Sequence, residues 1–427
     1  MKKNLFILAA AALAFTACSS DETIAVNEGL ADANTISFRP LITNVTRATD
    51  QSFTETSNGT SFKVTAFQTG AETNKYINDV TYTSDGTHFK SANPIYWPES
   101  YNLDFFAYTP IDGATATLAT TGASGNQIAP VTTDDPAIGY KKFTVIPSST
   151  VASQADLVFA NTDNWGKVSA GTPAGHVMPT NTGVTINFRH AGAKIRVKVK
   201  NTNPTLYFEV SGWKIANVDG SAVYTYTGCT NDETNTDDQG DQQLKIGDWS
   251  GNSDDQTIDY STTFTTANVI PVSASTAKFL DSDDANAANE TTDETLNMIL
   301  IPQTTTAVPV SGGYSAKTAN ATITSGSYIA LKLVAKNYTN NGVVATATAD
   351  NKWAIWPVAF TWIPGKCYTY TVDLAGGGYW ESNIDGGDTD DTNLDPILEG
   401  AEIKFVTVTV DDWSDAAGVD VSGPSWD

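Results

Sequence analysis

Three cysteines and three histidines are all the thiol and imidazole groups in 427 residues, so the chemistry open to this chain is narrow. Cys18 is the most conspicuous: in "LAFTACSSDE" it closes an apolar run and directly follows the small pair Thr16-Ala17. A thiol there suits acylation once the chain is cut in front of it. Cys229 and Cys367 are too few for a disulfide framework, which leaves a single bridge or two buried thiols. His88, His176 and His190 form no pair at metal spacing, and His190 falls on a strand, where it reads as a packed structural residue. There is no Gly-x-Ser-x-Gly elbow and no phosphate loop. Acids are plentiful, but most sit in polar loops that cannot hold the rigid separation of about 5–10 Å a glycosidase pair needs. Glu381, Asn383, Asp385 and Gly386 fall in calcium-loop phase, yet the twelfth position is Thr392 instead of the bidentate glutamate, which excludes an EF-hand. The residues therefore point to no enzyme and to no cofactor or metal.

The element that positions Cys18 is an N-terminal leader. Lys2 and Lys3 form its positive start and Leu5 to Phe15 its apolar middle, too short for a spanning helix of about 20 residues. The segment resembles a bacterial lipobox, with Phe15 where that motif usually has leucine. Residues 1–17 are then a lipoprotein signal peptide and Cys18 the acylated N-terminus, carrying palmitate-type chains. Each chain contributes about 0.8 kcal/mol per buried methylene, so several chains hold a protein on a membrane almost permanently. Asp21 and Glu22 are similar to the acidic tag that sends Bacteroidetes lipoproteins to the outer face of the outer membrane.

The remaining composition suits a folded, secreted, β-rich protein. Hydrophobic residues make up 40% and aromatics 10%, enough for real cores, whereas charged residues are only 17%. The net charge of −24 becomes −26 once Lys2 and Lys3 are lost, and such a surface repels nucleic acid and anionic headgroups alike.

Helical periodicity is nearly absent after the leader, and short alternating runs recur between Gly, Asn, Asp and Pro clusters. Ile36, Phe38 and Ile42 alternate in "TISFRPLI"; Phe62, Val64 and Ala66 oppose Lys63 and Thr65. In "FRHAGAKIRVKVKN", Ala191-Gly192-Ala193 bends the chain before Ile195, Val197 and Val199 alternate with Lys194, Arg196, Lys198 and Lys200. The aromatic run "KWAIWPVAFTW" reads as core. Acidic stretches at 232–241, 281–294 and 385–395 read as exposed loops. The domain boundary falls near residue 190.

Several of these stretches together resemble the fimbrillin-like proteins of Bacteroidales, the subunits of type V pili. "NPIYWPESYNLDFFAYTP", "DLVFA", "FRHAGAKIRVKV", "ILIPQ" and "WIPGKCYTYTVDL" follow the family's order across roughly residues 95 to 375. The resemblance implies an all-β fold of two tandem transthyretin-like β-sandwich domains behind a lipoprotein signal peptide. Residues 18–47 would be a pro-segment with the first strand, 48–190 the N-terminal sandwich and 191–427 the C-terminal sandwich. It also implies activation by an Arg-specific protease and polymerisation by donor-strand exchange with other fimbrial subunits, in a homo- or heteropolymer at the cell surface.

Arg47 fits that scheme, standing in a polar context just behind the alternating strand, with Ala48 after the cut. The other early arginine, Arg39, precedes Pro40 and is a poor site. At the far end, "EIKFVTVTVDDW" alternates Phe405 against Val406, Val408 and Val410. A last piece, "VDVSGPSWD", offers Val419, Val421 and Trp426 as donor-strand anchors, while Gly423-Pro424 within it is what a frayed tail would carry. The rival class is a surface glycan-binding lipoprotein that stays monomeric and uses exposed aromatics as sugar platforms. The anchor is tested directly: a fatty-acid probe is expected to label the wild-type chain in cells and to leave Cys18→Ser unlabelled.

Overall fold

The computed structural model describes residues 34–40, 61–86, 88–111, 127–130, 142–151, 154, 156–166, 176–177, 183–186, 188–225, 232–236, 242–243, 248–251, 258–280, 297–309, 323, 325–337, 352–381 and 406–412. Among them the fold is all-β, with one short 3₁₀ turn at Leu374–Gly376. Contacts divide the chain into two compact units. The first gathers residues up to 42, 52–107 and 160–187; the second holds 108–159 and everything from 188 onward.

One sheet runs in the order Val184–Ile186, Phe38–Pro40, Phe89–Ser91, Ala71–Ser84, Ser61–Gln68, Leu103–Ile111, Asp156–Gly166. The alternation read from the sequence decides which side chains go inside. Phe62, Val64 and Ala66 are buried, as are Leu103, Phe105 and Ala107. Thr65 is buried too, because the ladder between Ser61–Gln68 and Ala71–Ser84 shifts register beyond Val64. Asp79 sits at that irregularity with φ of 52°; its amide donates to Thr65 Oγ1 and its carboxylate accepts from Lys63.

The second unit is a sandwich of two five-stranded sheets. One runs Ala274–Phe279, Ala193–Asn201, Lys366–Asp373, Thr407–Asp412, with Met298–Leu300 also pairing to Ala193–Asn201. The other runs Ile258–Ile270, Leu206–Val218, Tyr328–Asn337, Lys352–Pro357, Tyr379–Trp380. Ile195, Val197 and Val199 from the first sheet share a core with Val210, Trp213, Leu331 and Trp356 from the second. Trp356, Phe360 and Trp362 of the aromatic run are buried, as their sequence context predicts. A four-stranded sheet, Asp248–Ser250, Ala222–Thr225, Lys142–Ile146, Gln127–Pro130, also contains residues on both sides of position 190. His190 is buried on Arg189–His190, which pairs with Phe159 and Val158. Within the acidic stretch expected as loop, Asp232–Thr236 pairs instead with Gln242–Gln243. The other two acidic stretches lie outside the described residues.

One polar cluster fixes the end of the second unit. Lys214 is buried, and its ammonium pairs with Glu381, lies 3.5 Å from Asp259, and faces the rings of Trp353 and Tyr328 at 5.1 and 5.5 Å. Tyr328 Oη donates to Glu381 Oε1 at 2.9 Å. Burial, with the Glu381 charge next, pushes that phenol far above its usual range, so it stays a donor. A buried ammonium is costly when its partner is removed, less so when both charges go together. Glu381→Ala is therefore expected to cost about 1–3 kcal/mol in urea denaturation, and adding Lys214→Met should recover most of that loss.

Candidate strand-exchange site

The strand Phe38–Pro40 lies between two neighbours inside the sheet. It runs parallel to Val184–Ile186, with Phe38 opposite Val184, Arg39 opposite Thr185 and Pro40 opposite Ile186. On its other side Phe38 faces Phe89 in antiparallel register. Just upstream, Ile36 N donates to Ile95 O at 2.8 Å and Trp97 N to Asn34 O at 3.1 Å, while Val184 N donates to Ser37 O at 2.7 Å. Pro40 has no N–H, so it cannot donate to the ladder at that position. The strand is thus interior.

Side chains hold it more firmly than backbone does. Ile36 is 2% exposed and Phe38 is fully buried, whereas Arg39 points to solvent. The Phe38 ring meets Tyr82, Phe105 and Phe62 edge-on, with centroids at 4.8, 5.2 and 5.8 Å. Phe62 is also 4.8 Å from Phe89, and Trp97 closes against Phe105 at 5.8 Å. Such a box accepts an aromatic ring and little else of similar volume. Burial stabilises each of Ile36 and Phe38 by about 1.5–3 kcal/mol. Burial also drives the Tyr82 phenol well above its ordinary pKa, so the box stays uncharged.

Gly183 sets the close approach of the neighbouring strand. Its φ is +72°, and a Cβ there would stand 3.0 Å from the Phe38 carbonyl carbon. A lone glycine before an alternating run was the signal available in the sequence for this contact.

At the other end of the chain, Thr407–Asp412 is an edge strand antiparallel to Lys366–Asp373, with Val408 opposite Tyr370 and Val410 opposite Tyr368. Val408 and Val410 are 49% and 48% exposed, and Thr407 and Thr409 are exposed as well. At this edge Val406 packs against the core, while residues 407–410 are exposed on both faces. Cys367, opposite Asp411, is buried.

The structure thus buries both sequence-identified residues, Ile36 and Phe38, and sets Phe38 in an aromatic box. Cys18, Arg47, Ala48, Val419, Val421, Trp426, Cys229 and Phe405 all lie outside the described residues. Among the described residues no cluster of three or more His, Cys, Asp or Glu could hold a metal ion, and no helix is long and apolar enough to cross a membrane.

The match to the fimbrillin-like family runs over residues 46–413, and the chain belongs to that family. It is a family of structural fimbrial and adhesion subunits, not of enzymes. Among solved structures, a fimbrial protein from Bacteroides vulgatus is 15% identical, with 89% of this chain and 99% of that chain covered and a TM-score of 0.48. A candidate cell adhesion protein from Bacteroides ovatus is 14% identical, covering 89% and 98%, with a TM-score of 0.37. Among curated protein sequences none matches significantly.

The aromatic box makes a quantitative expectation. Phe38→Ala should lower the stability of the first unit by about 3–5 kcal/mol, seen as an earlier urea transition. Arg39→Ala, on the solvent side of the same strand, should shift it by less than about 1 kcal/mol.

Proposed function

We propose that this chain is a fimbrial subunit activated by proteolysis and assembled by donor-strand exchange. In this reading Cys18 anchors the precursor to the outer face of the outer membrane. An Arg-specific protease then cuts between Arg47 and Ala48, and the C-terminal segment of another subunit replaces the strand that the cut releases. Val419, Val421 and Trp426 are the anchors that the sequence offers for that segment. The observation that carries the reading is the placement of Phe38–Pro40: an interior strand, three residues long, at the N-terminal side of the family match.

The physical argument concerns what the cut changes. Only residues 41–46 separate the strand from Arg47, at most about 25 Å of extended chain from Pro40 to Arg47. While that link is intact, the strand's return is intramolecular and has a high effective concentration, so an external strand cannot compete. After the cut, only side-chain burial and a few hydrogen bonds retain the strand. Its departure opens a slot two strand spacings wide, about 9–10 Å, lined by unpaired backbone groups and the aromatic box. An incoming strand satisfies both by β-augmentation.

The monomeric glycan binder remains the competing outcome. Its platform would be Tyr76 and Tyr96, the large aromatics exposed among the described residues, with Tyr76 Oη donating to the Tyr96 carbonyl at 2.5 Å.

Arg47→Ala separates the two readings. The variant is expected to reach the cell surface and stay monomeric, while wild type treated with an Arg-specific protease forms ladders on gels. Ladders from Arg47→Ala, or a treated wild type that stays monomeric and binds glycans, would reject activation at this site.

A further inference from the structure

The groove that holds the first strand is selective by size. It takes an aliphatic side chain at position 36 and, two residues on, an aromatic ring at position 38; Ser37 is only partly buried and Arg39 is exposed. The aromatic position is the demanding one, since its walls are the rings of Tyr82, Phe105 and Phe62. A valine there would leave an unfilled void, and voids are destabilising in proportion to their volume.

Between residue 382 and the C-terminus, an aliphatic residue followed two positions later by an aromatic occurs once, at Ile403-Lys404-Phe405. It stands beside Ile36-Ser37-Phe38 with the same polar middle position. The later stretch does not meet the requirement. Val419 and Val421 have the spacing but put a valine in the ring position, and Trp426 comes five residues after Val421. Read in the opposite direction, no aromatic in that range is followed two positions later by an aliphatic residue.

We infer that the groove is built for Ile403–Phe405 of a second copy of this chain, with Ile403 in the place of Ile36 and Phe405 in the place of Phe38. The incoming strand then runs with the polarity of the first strand, parallel to Val184–Ile186. This inference rests on the strand-exchange reading and specifies its register. The adjoining strand Thr407–Asp412 favours it: Val408 and Val410 are already half exposed on their own sheet edge, so the apolar burial forfeited on withdrawal falls mainly on Val406, which packs against the core.

The test uses the full chain treated with an Arg-specific protease and challenged with two synthetic peptides in excess, residues 401–410 and residues 418–427. The 401–410 peptide is expected to stop ladder formation, and its Phe405→Ala version to act at least about a hundredfold more weakly. A 401–410 peptide carrying a benzophenone in place of the Phe405 ring should crosslink to Ser61–Gln68, Ala71–Ser84 or Leu103–Ile111. If the 418–427 peptide stops the ladders and the 401–410 peptide does not, the register is wrong while strand exchange stands. Equal blocking by both peptides, or crosslinks away from those three strands, also overturns the register. Ladders that neither peptide affects, or no ladders after cleavage, remove the exchange reading together with its register.

Discussion

Backbone amides and carbonyls inside a sheet must be paired, and the first unit meets that demand with the strand Phe38–Pro40. Because this strand stands between Val184–Ile186 and Phe89–Ser91, it is the only bridge that the strand order places between them. An edge strand can fray at little cost; an interior one cannot leave without exposing donors and acceptors on both flanks. The aromatic box adds a second constraint of the same kind, since the Phe38 ring meets Tyr82, Phe105 and Phe62 at once. Everything proposed about assembly follows from these two vacancies being opened and filled again.

Charge limits how the filling can happen. Every copy carries a net charge near −24, so long-range electrostatics oppose association between copies. At physiological ionic strength that repulsion is screened over about 8 Å. In the proposed assembly the attraction between copies is therefore short-ranged: backbone pairing and ring burial at the groove. The same acidity favours solubility. In the second unit the two sheets share one large core, and Lys214 pairs with Glu381.

Sequence reading was most dependable where one physical rule acts alone. Strict alternation placed Ile36, Phe38, Phe62, Val64, Ile195, Val197 and Val199 inside, because side chains on a strand point to opposite faces with period two. It was least dependable where position in the sheet overrides pattern. "FVTVTV" alternates as cleanly as any buried strand, yet Val408 and Val410 are half exposed, since an edge strand has a neighbour on one side only. Thr65 is buried against its polarity because a register shift turns it inward.

The sequence by itself determined the all-β class, the family resemblance and the acidic composition. These depend on composition and on local order, which a linear chain displays. Only the tertiary structure decided that Phe38 lies within an aromatic box and that its strand is interior. It alone paired Lys142–Ile146 with Ala222–Thr225 and brought Lys214 to Glu381 across 167 positions. Those outcomes depend on which distant strands become neighbours, and alternation is the same for every partner a strand could take.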